Sequence, residues 1–406
     1  MKYDNGNTPH AERFCVALFG LCNSGKSSLL NAIVGQQVAI VSDIAGTTTD
    51  PISKAMELPN VGASLIIDTP GLDDNTLLGE MRVQRSREAI DRCDVAVMLF
   101  SDGVSDIEKN LIEELRRRET PIIAVISKCD IKPNVQEFSH QITLTTGLAP
   151  ICTSATTGEG IDLLRQAIAQ RHTAEQRLIT EGFCQPHDVV MLIMPQDAQA
   201  PKGRLIKPQA QVLRELLERE CITLCCTAEQ MADALTTMTA PPKLIITDSQ
   251  VFDKVYSLKP EGSRLTSFSI LFARYKGDIE TFVAGAKAIE QLTPSSRILI
   301  AEACAHAPKS EDIGRVKLPR MLRRKVGEAL RIDVVAGNEF PCDLSPYDLV
   351  IHCGACMFNR RHVLSRIAQA AEQGVAITNY GVAIAALQGI LDRVQTQEIT
   401  PQNKTE

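Results

Sequence analysis

Aromatic residues are scarce in this sequence of 406 residues: tryptophan is absent, and phenylalanine, tyrosine and tryptophan together make up 4%. Proteins that hold single-stranded nucleic acids stack the bases on aromatic rings, so this scarcity disfavours that function. The formal net charge of −6 and the pI near 5.8 give no support for attraction to nucleic acid or to an anionic membrane. The composition therefore predicts no nucleic-acid partner and no membrane partner.

Long apolar runs are also absent. No segment approaches the roughly 20 consecutive apolar residues that a membrane-spanning helix needs. The first ten residues, MKYDNGNTPH, are polar and lack the apolar stretch of a secretory signal, so we expect a cytoplasmic protein. With 44% hydrophobic and 23% charged residues, a chain of this length is expected to form two or three well-packed domains.

Cysteine, by contrast, is plentiful, with 13 residues. Thiols stay reduced in the cytoplasm, so disulfides are disfavoured. Six cysteines lie in or beside apolar runs of strand length and are predicted to be small core residues. These six are Cys15, Cys93, Cys129, Cys152, Cys225 and Cys226.

Short apolar runs alternate with helical patterns along the whole chain, which predicts an α/β fold with mainly parallel sheets. We expect a first domain over residues 1–172, with strands in FCVALFG, SLIIDTP, VAVMLF, PIIAVIS and PICTSA. A second domain over 183–257 would hold the strands VVMLIMP, CITLCCT and KLIITDS. A third over 258–395 would hold SFSILFARY, RILIAEAC, IDVVAG, DLVIHC and VAITNY.

The segment GLCNSGKS, residues 20–27, fits the phosphate-binding pattern GxxxxGK[ST] between a predicted strand and a predicted helix. Its glycines let backbone N–H groups point at phosphate oxygens, and the helix N-terminus adds a favourable dipole. The Lys26 side chain adds charge, and the Ser27 hydroxyl is a candidate Mg²⁺ ligand. The predicted phosphate-binding residues are Gly20, Asn23, Ser24, Gly25, Lys26, Ser27 and Ser28.

Two further segments complete the pattern for phosphoryl transfer. Asp68 ends the predicted strand SLII, where its carboxylate can hold Mg²⁺ through water, and the N–H of Gly71 can contact the γ-phosphate. A polar loop with the residues GTTTD, 46–50, lies between the two motifs, and a threonine there can complete the Mg²⁺ shell.

The base is predicted from two segments that follow strands. Lys128 and Asp130 in SKCD, with Ser154 and Ala155 in TSA, resemble the NKxD and SA signatures of guanine-nucleotide-binding proteins. An aspartate there accepts the N1–H and 2-amino donors of guanine, whereas adenine would leave it unpaired. Ser127 replaces the usual asparagine. The predicted ligand is GTP or GDP with Mg²⁺, and the first domain is expected to be a P-loop GTPase domain.

The stretches GLCNSGKSSLLNAIVG, IAGTTTDP, DTPGLDD, SKCD and TSA together resemble the GTPases of the Era and MnmE type. This resemblance implies Mg²⁺ binding by Thr48, K⁺ binding by Asn23 and orientation of the attacking water by Glu80. With Lys26 and Gly71, Thr48 and Glu80 form the candidate catalytic set. No glutamine or arginine finger is evident, so hydrolysis is expected to be slow.

A second cluster of candidate ligands lies near the C-terminus. Cys304 and His306 follow the strand RILIAEA, and His352, Cys353 and Cys356 in HCGAC end the strand DLVI. Ligands bind at the carboxyl ends of strands in such sheets, so two strands can bring these groups together. The residues alone leave a zinc site, a redox dithiol, an iron–sulfur site and buried core cysteines open.

The pattern CxH followed by HCxxC, behind a GTPase of this type, resembles the HydF family of FeFe-hydrogenase maturation GTPases. The resemblance implies a homodimer through the middle domain and a 4Fe-4S cluster on Cys304, Cys353 and Cys356, with His306 or His352 as a labile fourth ligand. It further implies that a di-iron precursor is received and passed to apo FeFe-hydrogenase, with two radical-SAM maturases as partners. The alternative is an RNA-directed GTPase, for ribosome assembly or tRNA modification, with a structural zinc site.

Overall fold

A computed structural model of the chain describes most of its residues, the side chains of 79–85 excepted. The described ranges are 13–35, 53–73, 79–172, 177–195, 205–303, 313–337, 339–355, 357–394 and residue 396. The chain divides into two compact units, residues 1–175 and 176–406. No helix within these ranges is long and apolar enough to cross a lipid bilayer.

The first unit is built on a six-stranded sheet with the order β2-β3-β1-β4-β5-β6. All neighbouring strands are parallel except β2, which runs antiparallel to β3 at the edge. The strands are β1 (Phe14–Gly20), β2 (Ser53–Leu58), β3 (Gly62–Asp68), β4 (Val95–Phe100), β5 (Ile122–Ile126) and β6 (Ile151–Cys152). The helices are α1 (Lys26–Val34), α2 (Gly79–Arg92), α3 (Asp106–Arg117), α4 (Val135–Thr146) and α5 (Ile161–Arg171).

The central strand β1 explains why its sequence is a continuous apolar run. Cys15 and Phe19 pack into the core on one face of the sheet, and Val16 and Leu18 into the core on the other. A parallel strand covered on both faces needs apolar side chains at every position. The loop that follows β1 therefore begins at the middle of the sheet, at the carboxyl edge where such folds bind ligands.

The second unit holds two four-stranded parallel sheets, with the orders β10-β9-β7-β8 and β12-β11-β13-β14. Elements around the former are β7 (Val189–Ile193), α6 (Lys207–Glu218), β8 (Ile222–Cys226), α7 (Met231–Thr236), β9 (Leu244–Thr247), α8 (Phe252–Leu258), β10 (Arg264–Ser267) and α9 (Phe268–Lys276). Elements around the latter are α10 (Ile279–Ala286), β11 (Arg297–Glu302), α11 (Leu318–Val326), β12 (Arg331–Ala336), β13 (Leu349–His352), α12 (Arg360–Glu372), β14 (Ala376–Asn379) and α13 (Tyr380–Leu387).

The predicted fold class is confirmed: three mainly parallel α/β sheets follow one another along the chain. One predicted strand is wrong, because the run SFSILFARY forms helix α9 after its first residue. The Ser267 side chain caps this helix by accepting the N–H of Ile270. Since both sides of the helix are buried, its sequence carries no helical periodicity.

The short strand β10, residues 264–267, pairs with β9 in the first sheet of this unit. That sheet thus continues past residue 257, where the second domain was expected to end. The division into three domains with those boundaries stays a prediction. Among the cysteines predicted to lie in cores, Cys15 and Cys93 are buried, Cys129, Cys152 and Cys226 are half-buried, and Cys225 is exposed.

Candidate nucleotide site and cysteine site

The loop between β1 and α1 turns sharply at two residues. Asn23 and Gly25 have φ values of 59° and 91°, in the left-handed region that favours glycine and asparagine. The Ser24 side chain is fully buried beneath the loop. These turns bring the chain to the first residue of α1, where free N–H groups and the helix dipole favour an anion.

Lys26 is the first residue of α1, and its side chain lies within this loop. Its ammonium group donates to the carbonyl oxygens of Gly20 and Leu21, at 2.9 and 2.8 Å. Burial lowers the pKa of Lys26, and the nearby carboxylate of Asp68 opposes that shift. The ammonium is therefore held by neutral acceptors at the place where the pattern predicts phosphate oxygens.

Beside the lysine, the first helical turn meets the end of β3. The Ser27 hydroxyl donates to Asp68 Oδ2 at 2.5 Å. The other carboxylate oxygen, Oδ1, is buried and has no hydrogen-bond partner among the described residues. Hydroxyl and carboxylate oxygens are ligands that Mg²⁺ prefers. The lost hydration of a buried carboxylate oxygen is not offset until a cation or a water molecule binds it. The residues present fit Mg²⁺.

The segment after β3 lies directly against the loop. A Cβ atom at Gly71 would stand 2.2 Å from Cys22 Sγ, so only glycine fits there. Asp73 accepts the N–H of Cys22 at 2.6 Å, and this bond holds the pKa of the Asp73 carboxyl below its usual range. The sequence reasoning missed Asp73, although it stands two residues beyond Gly71 in the quoted stretch DTPGLDD.

Behind the loop is a cavity of about 230 Å³. Its lining includes the predicted base-binding residues Lys128, Asp130 and Ala155, together with Ser28. The predicted Ser154 is fully buried and instead braces its own loop, because its hydroxyl accepts the N–H of Thr157 at 3.1 Å. The cavity thus joins the two segments that were predicted to recognise guanine.

The unusual Ser127 has a structural explanation. Its hydroxyl donates to the carbonyl oxygen of Ser24 at 2.6 Å, and the neighbouring Lys128 ammonium donates to the carbonyl oxygen of Asn23 at 2.8 Å. Serine is long enough to tie this segment to the phosphate loop. Two predicted catalytic residues are not placed: Thr48 lies outside the described residues, and Glu80 is in α2, where its side chain is not described.

The cysteine segment HCGAC begins at the end of β13, which pairs with β11 through Ala301 and His352. Cys353 Sγ accepts two backbone N–H groups, from Ala303 at 3.0 Å and from Ala355 at 3.4 Å. Such bonds stabilise a thiolate, since hydrogen bonds to the charged form of a group favour that form. The donor set at Cys353 therefore fits a metal-bound thiolate.

Cys304, His306 and Cys356 lie outside the described residues. Within the described ranges there is no group of three or more histidine, cysteine or acidic side chains that could hold a metal ion. In the sequence, Cys304 and Cys356 are the residues directly after Ala303 and Ala355, the two N–H donors to Cys353 Sγ. The strands β11 and β13 are paired neighbours in the sheet, and the cysteine ligand set stays a prediction.

The side chain of His352 is 1% exposed and both of its ring nitrogens are bonded. Arg366 Nη1 lies 3.0 Å from Nε2, and the carbonyl oxygen of Cys353 lies 2.8 Å from Nδ1. A guanidinium only donates, so Nε2 accepts and Nδ1–H donates. Burial, followed by the charge of Arg366, lowers the pKa of His352 to about 3. His352 can bind a metal through Nε2 only if Arg366 gives up its bond.

Three protein families match parts of the chain. Residues 179–277 match the hydrogen maturase F dimerization domain, and residues 280–397 match the hydrogen maturase F tetramerization domain. Residues 15–128 match the family described as 50S ribosome-binding GTPase.

Individual relatives resemble the first unit. The tRNA modification GTPase MnmE of Nitrosomonas europaea is 34% identical over 170 residues, which are 41% of this chain and 36% of MnmE. GTPase Der of Rhizobium leguminosarum bv. trifolii is 36% identical over 162 residues, which are 39% of this chain and 34% of Der. The chain spans about a third of the length of these curated relatives.

Among solved structures, Era of Aquifex aeolicus bound to GDP and AlF₄⁻ has a TM-score of 0.33 at 22% identity, covering 52% of this chain and 92% of Era. The G domain of the FeoB iron transporter of T. maritima has a TM-score of 0.30 at 22% identity, covering 39% of this chain and 98% of that domain.

The class of protein follows from the match over residues 15–128 and from the arrangement around Lys26: the first unit is a P-loop GTPase domain. The two hydrogen maturase F matches together extend over more than half of the chain. The chain belongs to the hydrogen maturase F family, HydF, which confirms the resemblance stated from the sequence. It therefore carries the oligomerisation domains of that family.

Proposed function

We propose that this protein is a GTP-hydrolysing scaffold that holds a 4Fe-4S cluster and carries the di-iron precursor during maturation of FeFe-hydrogenase. The observation that carries the proposal is the environment of Cys353, in a chain of the hydrogen maturase F family. Its sulfur accepts two backbone N–H groups at the paired ends of β11 and β13. A core cysteine needs no such donors, whereas a metal-bound thiolate is stabilised by them.

In the GTPase domain, the loop N–H groups and Lys26 would hold the β- and γ-phosphates. The Ser27 hydroxyl would bind Mg²⁺, and the Asp68 carboxylate would hold it through water; the ion would supply positive charge at the phosphoryl oxygens. Asp130 would accept the donors of the guanine ring in the cavity beside Lys128. Thr48 would complete the Mg²⁺ ligands, as the resemblance to Era and MnmE implies.

Hydrolysis would be slow and activated by K⁺. Asn23 is the proposed K⁺ ligand, and Glu80 is the proposed residue that orients the attacking water, with Gly71 contacting the γ-phosphate. Slow turnover suits a switch, because each nucleotide state then lasts long enough for a partner to bind or leave.

In the second unit, Cys304, Cys353 and Cys356 are the proposed thiolate ligands of the cluster. Three thiolates hold three irons of a cubane, and the fourth iron supplies an exchangeable coordination position. His306 remains a candidate for that position. His352 is a weaker candidate, because its Nε2 already accepts a hydrogen bond from Arg366.

The proposed partners are a second copy of this chain, apo FeFe-hydrogenase as the acceptor of the di-iron precursor, and two radical-SAM maturases as the sources of that precursor. The homodimer would form through the domain that matches the hydrogen maturase F dimerization family. The proposed location is the cytoplasm.

Anaerobic reconstitution with iron and sulfide tests the proposal. We expect iron and sulfide uptake with the broad visible absorption of a 4Fe-4S cluster, and an EPR signal after reduction. Cys304→Ser, Cys353→Ser and Cys356→Ser should each lose both signals, whereas Cys225→Ser, at an exposed position, should keep them. Stoichiometric zinc without iron uptake would instead favour an RNA-directed GTPase with a structural zinc site.

A further inference from the structure

A buried lysine reaches the cysteine loop from a neighbouring helix. Lys276 is the last residue of α9, and its side chain is only 3% exposed. Its ammonium donates to the carbonyl oxygens of Ala355 and Phe358, at 2.9 and 2.8 Å. Both acceptors belong to the loop that follows Cys353, so the lysine fastens this loop at two points.

The first of these bonds supports an unusual backbone conformation. Ala355 has a φ of 53°, in the left-handed region that is unfavourable for a residue with a Cβ. In this conformation its N–H points at Cys353 Sγ, while its carbonyl oxygen accepts from Lys276. The bond that the lysine makes thus helps to keep one of the two N–H donors directed at the sulfur.

The lysine is itself held in place. Arg360, in the first turn of α12, donates through Nη1 to the carbonyl oxygens of Gly277 and Tyr275, at 2.6 and 3.1 Å. The ring of Phe272 lies 5.9 Å from the Lys276 ammonium and covers another side of it. The end of α9 and the start of α12 therefore brace each other on either side of the loop.

A buried ammonium among carbonyl dipoles and an aromatic ring is costly to desolvate, and its charge acts strongly on its surroundings because little water screens it. A 4Fe-4S cluster on three thiolates is an anion, and one-electron reduction makes it more negative. A fixed positive charge nearby stabilises the reduced form more than the oxidised form, which raises the reduction potential.

We propose that Lys276 is a positioning residue for the iron–sulfur site, which shapes the loop around Cys353 and raises the reduction potential of the cluster. The inference rests on the proposed function, since it requires that the cysteines hold a cluster. It assigns a role to a residue that is 77 positions away from Cys353 in the sequence.

The test compares Lys276→Met, Lys276→Arg and a matched control in the same unit. Lys259 also donates to two carbonyl oxygens, those of Pro260 and Ser263, at 3.1 and 2.7 Å. Lys259→Met therefore removes an equivalent pair of bonds at a loop without cysteine. Each full-length protein is reconstituted anaerobically with iron and sulfide, and its folding is checked by circular dichroism.

Two quantities are measured: the rate of iron loss to a chelator, and the midpoint potential from an EPR-monitored titration with dithionite. Lys276→Met should lose iron about tenfold faster, as expected when an outer-shell partner of a metal ligand is removed. Its midpoint potential should also be more negative than that of the wild type. Lys276→Arg should keep a potential near the wild-type value, and Lys259→Met should match the wild type in both measurements.

The outcomes separate this inference from the function on which it rests. If the wild-type protein takes up no iron, the proposed function fails. If the wild type is loaded and Lys276→Met has the same iron retention and potential, only the role of Lys276 is overturned. If Lys276→Met does not fold, the neutral Lys276→Gln replaces it, and equal potentials for Lys276→Gln and Lys276→Arg overturn the role.

Discussion

The neutral, buried His352 makes the stability of the iron-free protein depend on pH. Burial and the charge of Arg366 lower its pKa from 6.5 to about 3, so the folded state excludes a proton that the unfolded chain binds below pH 6.5. The stabilising contribution is complete above pH 6.5 and is lost as the pH falls from 6.5 towards 3. Protonation of His352 in the unfolded chain therefore lowers the free energy of unfolding at pH 5 by about 2 kcal/mol relative to neutral pH.

For a unit of this size, about 2 kcal/mol corresponds to a decrease in Tm of roughly 4–8 °C. The assay is thermal unfolding of iron-free protein by far-UV circular dichroism between pH 7.5 and pH 5. In His352→Gln, a neutral amide that does not titrate replaces the ring, so this variant should lack that part of the decrease. Taking the difference between variant and wild type at each pH cancels the effect of the other titrating groups.

The matched control is His187→Asn, because His187 is exposed in the same unit. This variant should follow the wild-type curve at every pH. If the Tm of the wild type and that of His352→Gln decrease equally on acidification, the buried neutral state of His352 is refuted. The assignment of Nε2 as the acceptor of the Arg366 hydrogen bond is then refuted with it.

Three predictions concern the GTPase domain. Lys26→Ala should reduce phosphate release from GTP to background, because it removes the ammonium inside the phosphate loop; activity near the wild-type level would contradict the assigned site. Potassium should support faster hydrolysis than sodium at equal ionic strength, and equal rates would remove the role proposed for Asn23. Ser127→Ala deletes the hydrogen bond to Ser24, worth about 1 kcal/mol; we expect GDP to dissociate roughly fivefold faster in a stopped-flow measurement, whereas Ser127→Asn should restore slow release.

Much of the nucleotide site could be predicted because its chemistry is local. A run such as GLCNSGKS specifies a turn and a helix start through backbone conformations that its own residues favour, whatever surrounds them. The apolar runs likewise predicted most strands, since a central parallel strand must be apolar on both faces. The prediction failed for SFSILFARY, because a helix buried on both sides and a buried strand have the same apolar composition.

By itself, the sequence determined the alternation of most strands and helices, the phosphate loop and the presence of thiol and imidazole groups after two predicted strands. The tertiary structure decided which groups meet. The Ser127 hydroxyl donates to the carbonyl oxygen of Ser24, and Arg366 donates to His352 Nε2. Lys276 donates to the carbonyl oxygen of Ala355, in the loop after Cys353. These contacts join residues of different strands, helices and loops, and only the packing of helices against the sheets brings such residues within hydrogen-bond distance.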